Sequence, residues 1–210
     1  MKYLQQYIEE EIIPRYQHFD KAHQEDHVRT VIAASMQLAD HYPVSKSMVY
    51  AIAAYHDTGL AVDRKTHHLE SGKIVRTDPR LRDFFTAEEI ETMAQAVEDH
   101  RASNKNEPRS IYGKIVAEAD RIIDAETILL RTVQFGLSNY PELGKAEQLE
   151  RAMDHLHEKY ARGGYLRLHI PESPNAKALQ QLQELIDDDA AIRALLEQIY
   201  LKESCLNPNI

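Results

Sequence analysis

The sequence predicts an all-α fold, and three observations carry that expectation. Apolar residues recur three and four positions apart along almost every segment, the period of one helix face. No segment sustains the apolar–polar alternation of a half-buried strand. Helix punctuation recurs as well, with capping residues ahead of apolar runs and proline or glycine behind them. A single-domain bundle of about eight or nine helices, spanning residues 1–210, is expected.

Residues 3–13 place Tyr3, Leu4, Tyr7, Ile8 and Ile12 on one stripe, and Pro14 is expected to stop this first helix. From about Glu25 to His41, a second stripe contains Val28, Val31, Ile32, Ser35, Leu38 and Ala39. Ser45 reads as the N-cap of a third helix that runs to His56-Asp57, with Gly59 as its stop. Residues 61–67 are polar and read as a loop, and a helix from His68 to about Thr77 follows. Thr86-Ala87-Glu88-Glu89 is a capping box. It opens a helix that turns Ile90, Met93, Ala94 and Val97 inward and ends near His100. Beyond a loop over 101–109, one long apolar run extends from Ile111 through Ile122 and Ile123 to Val133. Tyr140 to Gly144 breaks the chain again, and a helix is expected over 146–160. Ser173-Pro174 opens another to about Ile186, and a last one begins at Asp187 to Asp189 and continues through Tyr200. The C-terminal helices, residues 126–204, are expected to pack on the preceding core.

Composition narrows the function. With 210 residues, 43% of them hydrophobic, the chain has enough apolar material for one sizeable core. A net charge of −9 and no dense basic block argue against a nucleic acid polymer or an anionic membrane as partner. A small anionic substrate in a locally basic pocket stays open. The single cysteine, Cys205, excludes an internal disulfide and a thiolate-built zinc site. Met1 to Tyr7 lacks an apolar signal core and no run reaches membrane-spanning length, so a cytoplasmic protein is expected. Tyr3 and Tyr7 on the first helix leave room for a homodimer.

The chemistry centres on Ala51-Ile52-Ala53-Ala54-Tyr55-His56-Asp57-Thr58-Gly59-Leu60. An apolar helix here ends in an imidazole beside a carboxylate. A buried carboxylate needs a positive partner, and no lysine or arginine lies within six residues on either side. Neighbouring side chains diverge by about 100° in mid-helix, but at a terminal turn both reach one ion. His27 opens the second helix, and Asp120 lies in Ile115 to Ile123 with apolar neighbours three and four positions away. Each alone has a plainer reading: a core histidine is more often hydrogen-bonded than metallated, and Asp120 has Arg121 beside it as a partner. Together, two imidazoles and two carboxylates on three helices suit a six-coordinate divalent ion such as Mn²⁺, Fe²⁺, Mg²⁺, Ni²⁺ or Co²⁺ with open positions for water.

These residues resemble the HD-domain superfamily of metal-dependent phosphohydrolases, whose order is a histidine, then His-Asp, then a distant aspartate. Here the order is His23-Gln24-Glu25-Asp26-His27, then His56-Asp57-Thr58-Gly59, then Ala119-Asp120-Arg121-Ile122-Ile123-Asp124, so the resemblance runs from about Asp20 to Asp124. It implies an HD-type helical bundle in which His27, His56, Asp57 and Asp120 are the metal ligands. Family members carry further histidines that bind a second ion or meet substrate phosphate. His68 and His100 match those positions, with His68 preferred to the adjacent His67 for its spacing from Gly72. Members that cleave cyclic dinucleotides carry a lysine where this chain has Leu60, and a Gly-Tyr-Pro motif that it lacks, so that subfamily is not expected.

The resemblance implies hydrolysis of a phosphate ester or anhydride of a small molecule, a nucleotide first among them, by a metal-activated water. Asp57 and His100 are the catalytic candidates, with His100 or His68 as a general acid. Lys65, Arg64, Arg101, Lys105 and Arg109 are candidates to hold the phosphate, while Arg29 is displaced by one residue from the family's usual arginine. His23 and Asp124, each four residues from an expected ligand, are expected to orient it through hydrogen bonds. The competing readings are a ligand-sensing module that has lost activity and a di-iron oxygenase on the same fold.

Overall fold

The computed structural model describes residues 2–19 and 23–206. Met1, residues 20–22 and residues 207–210, which fall within the expected domain span, lie outside the described residues. Among the described residues there are ten α-helices and no strand. No helix is long and apolar enough to cross a membrane. Contacts divide the chain into two compact units, Met1–Arg121 with Leu168–Ser173, and Ile122–Arg167 with Pro174–Ile210.

In the first unit, α1 (Lys2–Tyr7) widens into a π-helical turn over Ile8–Ile12 and then tightens into a 3₁₀ segment over Ile13–His18. Pro14 therefore does not stop the first helical stretch. It sits in the first turn of the 3₁₀ segment, where its fixed φ of about −65° suits helical backbone. The remaining helices are α2 (Glu25–Leu38), α3 (Lys46–Tyr55), α4 (His67–Thr77), α5 (Ala87–Asp99) and α6 (Ile111–Asp120).

Helix α3 is the axis. Every residue from Met48 to Tyr55 is buried, as an all-round apolar helix requires. Helices α2, α5 and α6 pack on it, and α4 packs along α5. Starts and stops follow local chemistry. The Ser45 hydroxyl accepts from the Met48 N–H at the start of α3. Thr86 and Glu89 close the expected capping box on α5, the Glu89 carboxylate accepting from the Thr86 N–H at 2.8 Å. Tyr7 and Tyr55 both donate to the Asp78 carboxylate, at 2.6 and 2.5 Å, so the Tyr7 hydroxyl is engaged within the unit. Tyr3 is 79% exposed.

The long apolar run from Ile111 to Val133 is two helices. Helix α6 ends at Asp120, and the second unit begins with α7 (Ala125–Asn139). Asp124 causes the break: its carboxylate accepts from the Thr127 N–H at 2.8 Å, which makes it the N-cap of α7. The remaining helices of the second unit are α8 (Lys145–Lys159), α9 (Asn175–Ile186) and α10 (Asp189–Leu206). They enclose Leu129, Val133, Leu149, Leu156, Leu182, Ile186, Ile192 and Leu196.

Candidate metal centre

Six chemically matched side chains meet in the first unit, and each comes from the end of a helix. His27 lies in the first turn of α2, and His67 is the first residue of α4. His56 and Asp57 follow the last residue of α3, His100 follows the last of α5, and Asp120 is the last of α6. Three helix C-termini thus converge, and the partial negative charge of their free carbonyls favours a cation between them.

The Asp57 carboxylate is at the middle. Its Oδ2 lies 3.3 Å from His56 Nε2 and 3.6 Å from His27 Nε2, and those two nitrogens are 3.2 Å apart. Asp120 Oδ1 joins this group, 3.2 Å from His27 Nε2 and 3.7 Å from His56 Nε2. The other oxygen, Asp57 Oδ1, lies 3.3 Å from His67 Nε2 and 3.4 Å from His100 Nε2, and those nitrogens are 3.1 Å apart. The donors form two clusters, His27–His56–Asp57 and Asp57–His67–His100, each able to hold a metal ion.

Ring orientation supports that fit. His56, His67 and His100 each donate Nδ1–H to the carbonyl three residues earlier, Ala53, Arg64 and Val97 respectively. That assigns the proton to Nδ1 and leaves each Nε2 lone pair facing inward. Two neutral rings so turned repel across about 3 Å, and a cation, either a proton on one ring or a metal ion between them, relieves the pair. Donor atoms about 2.1 Å from one ion are separated by about 3.0 Å at octahedral and about 3.4 Å at tetrahedral geometry, and the separations here fall in that range except His27–Asp57 at 3.6 Å and His56–Asp120 at 3.7 Å.

Residues 25–124, just under half of the 210-residue chain, match the family model of the HD domain. The chain carries an HD domain. No curated protein and no solved structure matches the chain. HD domains are in general metal-dependent hydrolases that bind divalent ions, and the two clusters here fit such ions.

The electrostatics of the HD site follow from its crowding. Burial, the strongest influence on Asp57, works to raise its pKa, but the imidazoles of His56, His100 and His27 hold it well below the carboxylate range. Asp120 is likewise held low against its burial, chiefly by the hydrogen bond from His27. Burial opposes a charge on His27, yet Asp120 and Asp57 push its pKa up to about 9. Burial and the neighbouring His100 lower His67.

The other expected site residues distribute as follows. His67, and not the preferred His68, faces Asp57. His68 Nδ1 is buried without a hydrogen-bond partner, and burial lowers its pKa to about 4. Adjacent residues of a helix point about 100° apart, so only one of the two can face the centre, and the packing of α4 turns that face to His67. Asp124 caps α7 and is not on a helical face shared with Asp120. His23 packs its ring edge-on against His27, with centroids 5.6 Å apart. Asp120 pairs with His27, while Arg121 bends back to donate to the Ala117 carbonyl.

Arg109 is not placed for phosphate either. Its guanidinium holds the buried Asp99 at 2.9 Å and Glu98 at 2.7 Å, since a carboxylate taken out of water needs a cation. Glu98 also pairs with Arg76, which reaches Glu91 at 2.8 Å. Arg29 is spent on Glu9 at 3.0 Å. Arg101 donates to the Lys65 carbonyl, while Arg64, Lys65 and Lys105 are exposed. Tyr16 also reaches the HD turn, and no local motif in the sequence announces it: its hydroxyl contacts the backbone of Ala54 and Asp57 across about forty residues.

Proposed function

We propose that this protein is a metal-dependent phosphohydrolase that cleaves a phosphate ester or anhydride of a small molecule, a nucleotide first among them. The observation that carries the reading is the shared Asp57 carboxylate, one oxygen facing each pair of inward-pointing imidazoles. In this reading His27, His56, Asp120 and Asp57 Oδ2 hold one divalent ion, and Asp57 Oδ1, His67 and His100 hold a second. Such an ion brings the pKa of a bound water from 15.7 to about 7 and polarises a phosphoryl oxygen.

The chain's own residues do the rest. The backbone carbonyls of Ala53, Arg64 and Val97 fix the three imidazoles, so the donors need little rearrangement on loading. Helix α3 seals the centre from beneath with its all-buried face. His100 is 2% exposed, which suits a ligand better than a general acid that must meet a leaving group. Arg64, Lys65 and Lys105, on the exposed loops next to α4 and α5, are the cations that would hold phosphate oxygens. Metal analysis of the purified protein, then a phosphate-release screen over nucleotides with added Mn²⁺, tests the reading. Absence of both bound metal and hydrolysis under any divalent ion overturns it.

The same two clusters favour one second reading, a di-iron oxygenase, because that chemistry also needs paired sites with a bridging carboxylate. Oxygen uptake by the Fe²⁺-loaded protein without phosphate release from any nucleotide would select it.

A further inference from the structure

The geometry points to Tyr16 as the residue that holds the His56-Asp57 turn in its metal-ready shape, and this inference rests on the metal reading above. The problem it solves is local. Consecutive residues of a regular helix point about 100° apart, yet His56 Nε2 and Asp57 Oδ2 sit 3.3 Å from each other. The backbone must leave the helix between them, and it does: His56 is still helical at φ −52° and ψ −39°, while Asp57 is at φ −107° and ψ 5°. Leaving a helix inside a core exposes backbone groups that water cannot reach.

Side chains take up those groups one after another. The Ala53 carbonyl accepts His56 Nδ1–H at 2.7 Å, the Ala54 carbonyl accepts the Tyr16 hydroxyl at 2.9 Å, and the Tyr55 carbonyl accepts the Thr58 hydroxyl at 2.8 Å. Tyr16 then acts a second time, because its oxygen accepts the Asp57 N–H at 3.2 Å. One hydroxyl therefore satisfies a donor and an acceptor on either side of His56. His56 and Thr58 lie within the turn, but Tyr16 reaches it from the 3₁₀ segment before α2, outside residues 25–124. It is fully buried, its ring 5.1 Å from Phe19 and 6.3 Å from His56.

Without the hydroxyl, the Asp57 N–H has the Ala53 carbonyl as its helical alternative, in competition with His56 Nδ1–H. The turn then rewinds and the two ligands separate. Tyr16 is accordingly a positioning residue, acting through Asp57 and His56.

The test compares wild type with Tyr16→Phe by titration with Mn²⁺ and by the visible spectrum of the Co²⁺ form, both readable without turnover. Outer groups that orient metal ligands typically change affinity about 10–100-fold, and a loss of that size with an altered Co²⁺ spectrum is expected. Phe19→Leu is the packing control: it should lower the melting temperature and leave affinity and spectrum as in wild type. Tyr16→Phe with wild-type affinity and spectrum overturns the positioning role while leaving the metal reading intact. Wild-type protein that binds neither ion overturns the metal reading itself, and with it this inference. Should Tyr16→Phe not fold, amide hydrogen exchange in wild type still decides: the Asp57 N–H should be as protected as the α3 core, and free exchange at that amide refutes the clamp.

Discussion

One added methyl group at Gly59 tests how closely the metal centre depends on the fit between the α3 turn and α4. A Cβ on Gly59 would lie 2.1 Å from the His67 carbonyl oxygen, 2.6 Å from the Ser71 nitrogen and 2.9 Å from Glu70 Cβ. The first two are backbone atoms in the opening turns of α4, so no side-chain rotation relieves the clash. Gly59 does not have a positive φ, so the cost comes from this contact and not from backbone strain. Restoring an ordinary contact of 3.4 Å from 2.1 Å moves the His67 carbonyl by about 1.3 Å, and overpacking of this kind costs about 3 kcal/mol, the upper end of its usual range. For a chain of this size that is a melting temperature lower by about 6–12 °C. The same movement carries His67 away from Asp57 Oδ1, now 3.3 Å distant, beyond the roughly 0.5 Å tolerance of a preorganised site. Gly59→Ala should therefore melt early in EDTA and bind fewer metal ions per chain than wild type. Gly144→Ala is the control, since its Cβ would meet only Glu147 Oε2 at 3.6 Å, and it should melt within about 2 °C of wild type. A Gly59→Ala protein with wild-type melting and full metal content would refute the argument.

Other substitutions and conditions separate the roles. Asp57→Ala should abolish metal binding at both clusters while far-UV circular dichroism shows retained helicity; metal retained at wild-type affinity would remove Asp57 from the centre. His67→Ala should lower metal content, and His68→Ala should leave it unchanged, as measured by elemental analysis; the reverse pattern would restore the residue order expected from sequence. The hydrogen bond from Arg76 is the largest of the influences that bring the Glu91 pKa down from 4.5 to about 2, so the pair stabilises the fold above pH 4.5 and loses that contribution as pH falls toward 2. The glutamate is solvent-exposed, so the contribution is about 0.5 kcal/mol. Urea midpoints of wild type and Glu91→Gln should differ at pH 6 and converge near pH 2, and a constant difference would discount the pair. Arg109→Met should destabilise by about 1–3 kcal/mol by leaving Asp99 buried without its cation; phosphate-release activity lost with stability unchanged would return Arg109 to the substrate.

Much of the fold was legible because its signals are local. The Thr86–Glu89 capping box, the Ser45 cap and the apolar stripes each lie within one helical turn, and all appear in the structure. The site residues met for a related reason: an unpaired carboxylate or imidazole on an apolar face stands out against its neighbours. What was lost depends on register or distance. His67 and His68 are adjacent, and which of them faces the centre is set by the rotation of α4 against its neighbours. The break after α6 hides in an apolar stretch, because the capping role of Asp124 competes with an equally good helical face containing Ile122 and Ile123. Arg109 looked like a phosphate ligand because the buried Asp99 it serves is ten residues away in sequence. Tyr16 is one of eleven tyrosines, and only the folded chain shows which hydroxyl faces the turn.

If both clusters take an ion, as proposed above, the one carboxylate they share would make their occupancies thermodynamically linked, and the linkage would be reciprocal. A cation on Asp57 Oδ2 would withdraw electron density from the whole carboxylate, leaving Oδ1 a poorer donor to a second ion. The first ion to arrive, at either cluster, would weaken the next, so the centre would fill stepwise with negative cooperativity. Trace metal would then produce a one-ion population, and abundant metal a two-ion population. Any property that needs both ions would rise with metal concentration well after binding is first detected.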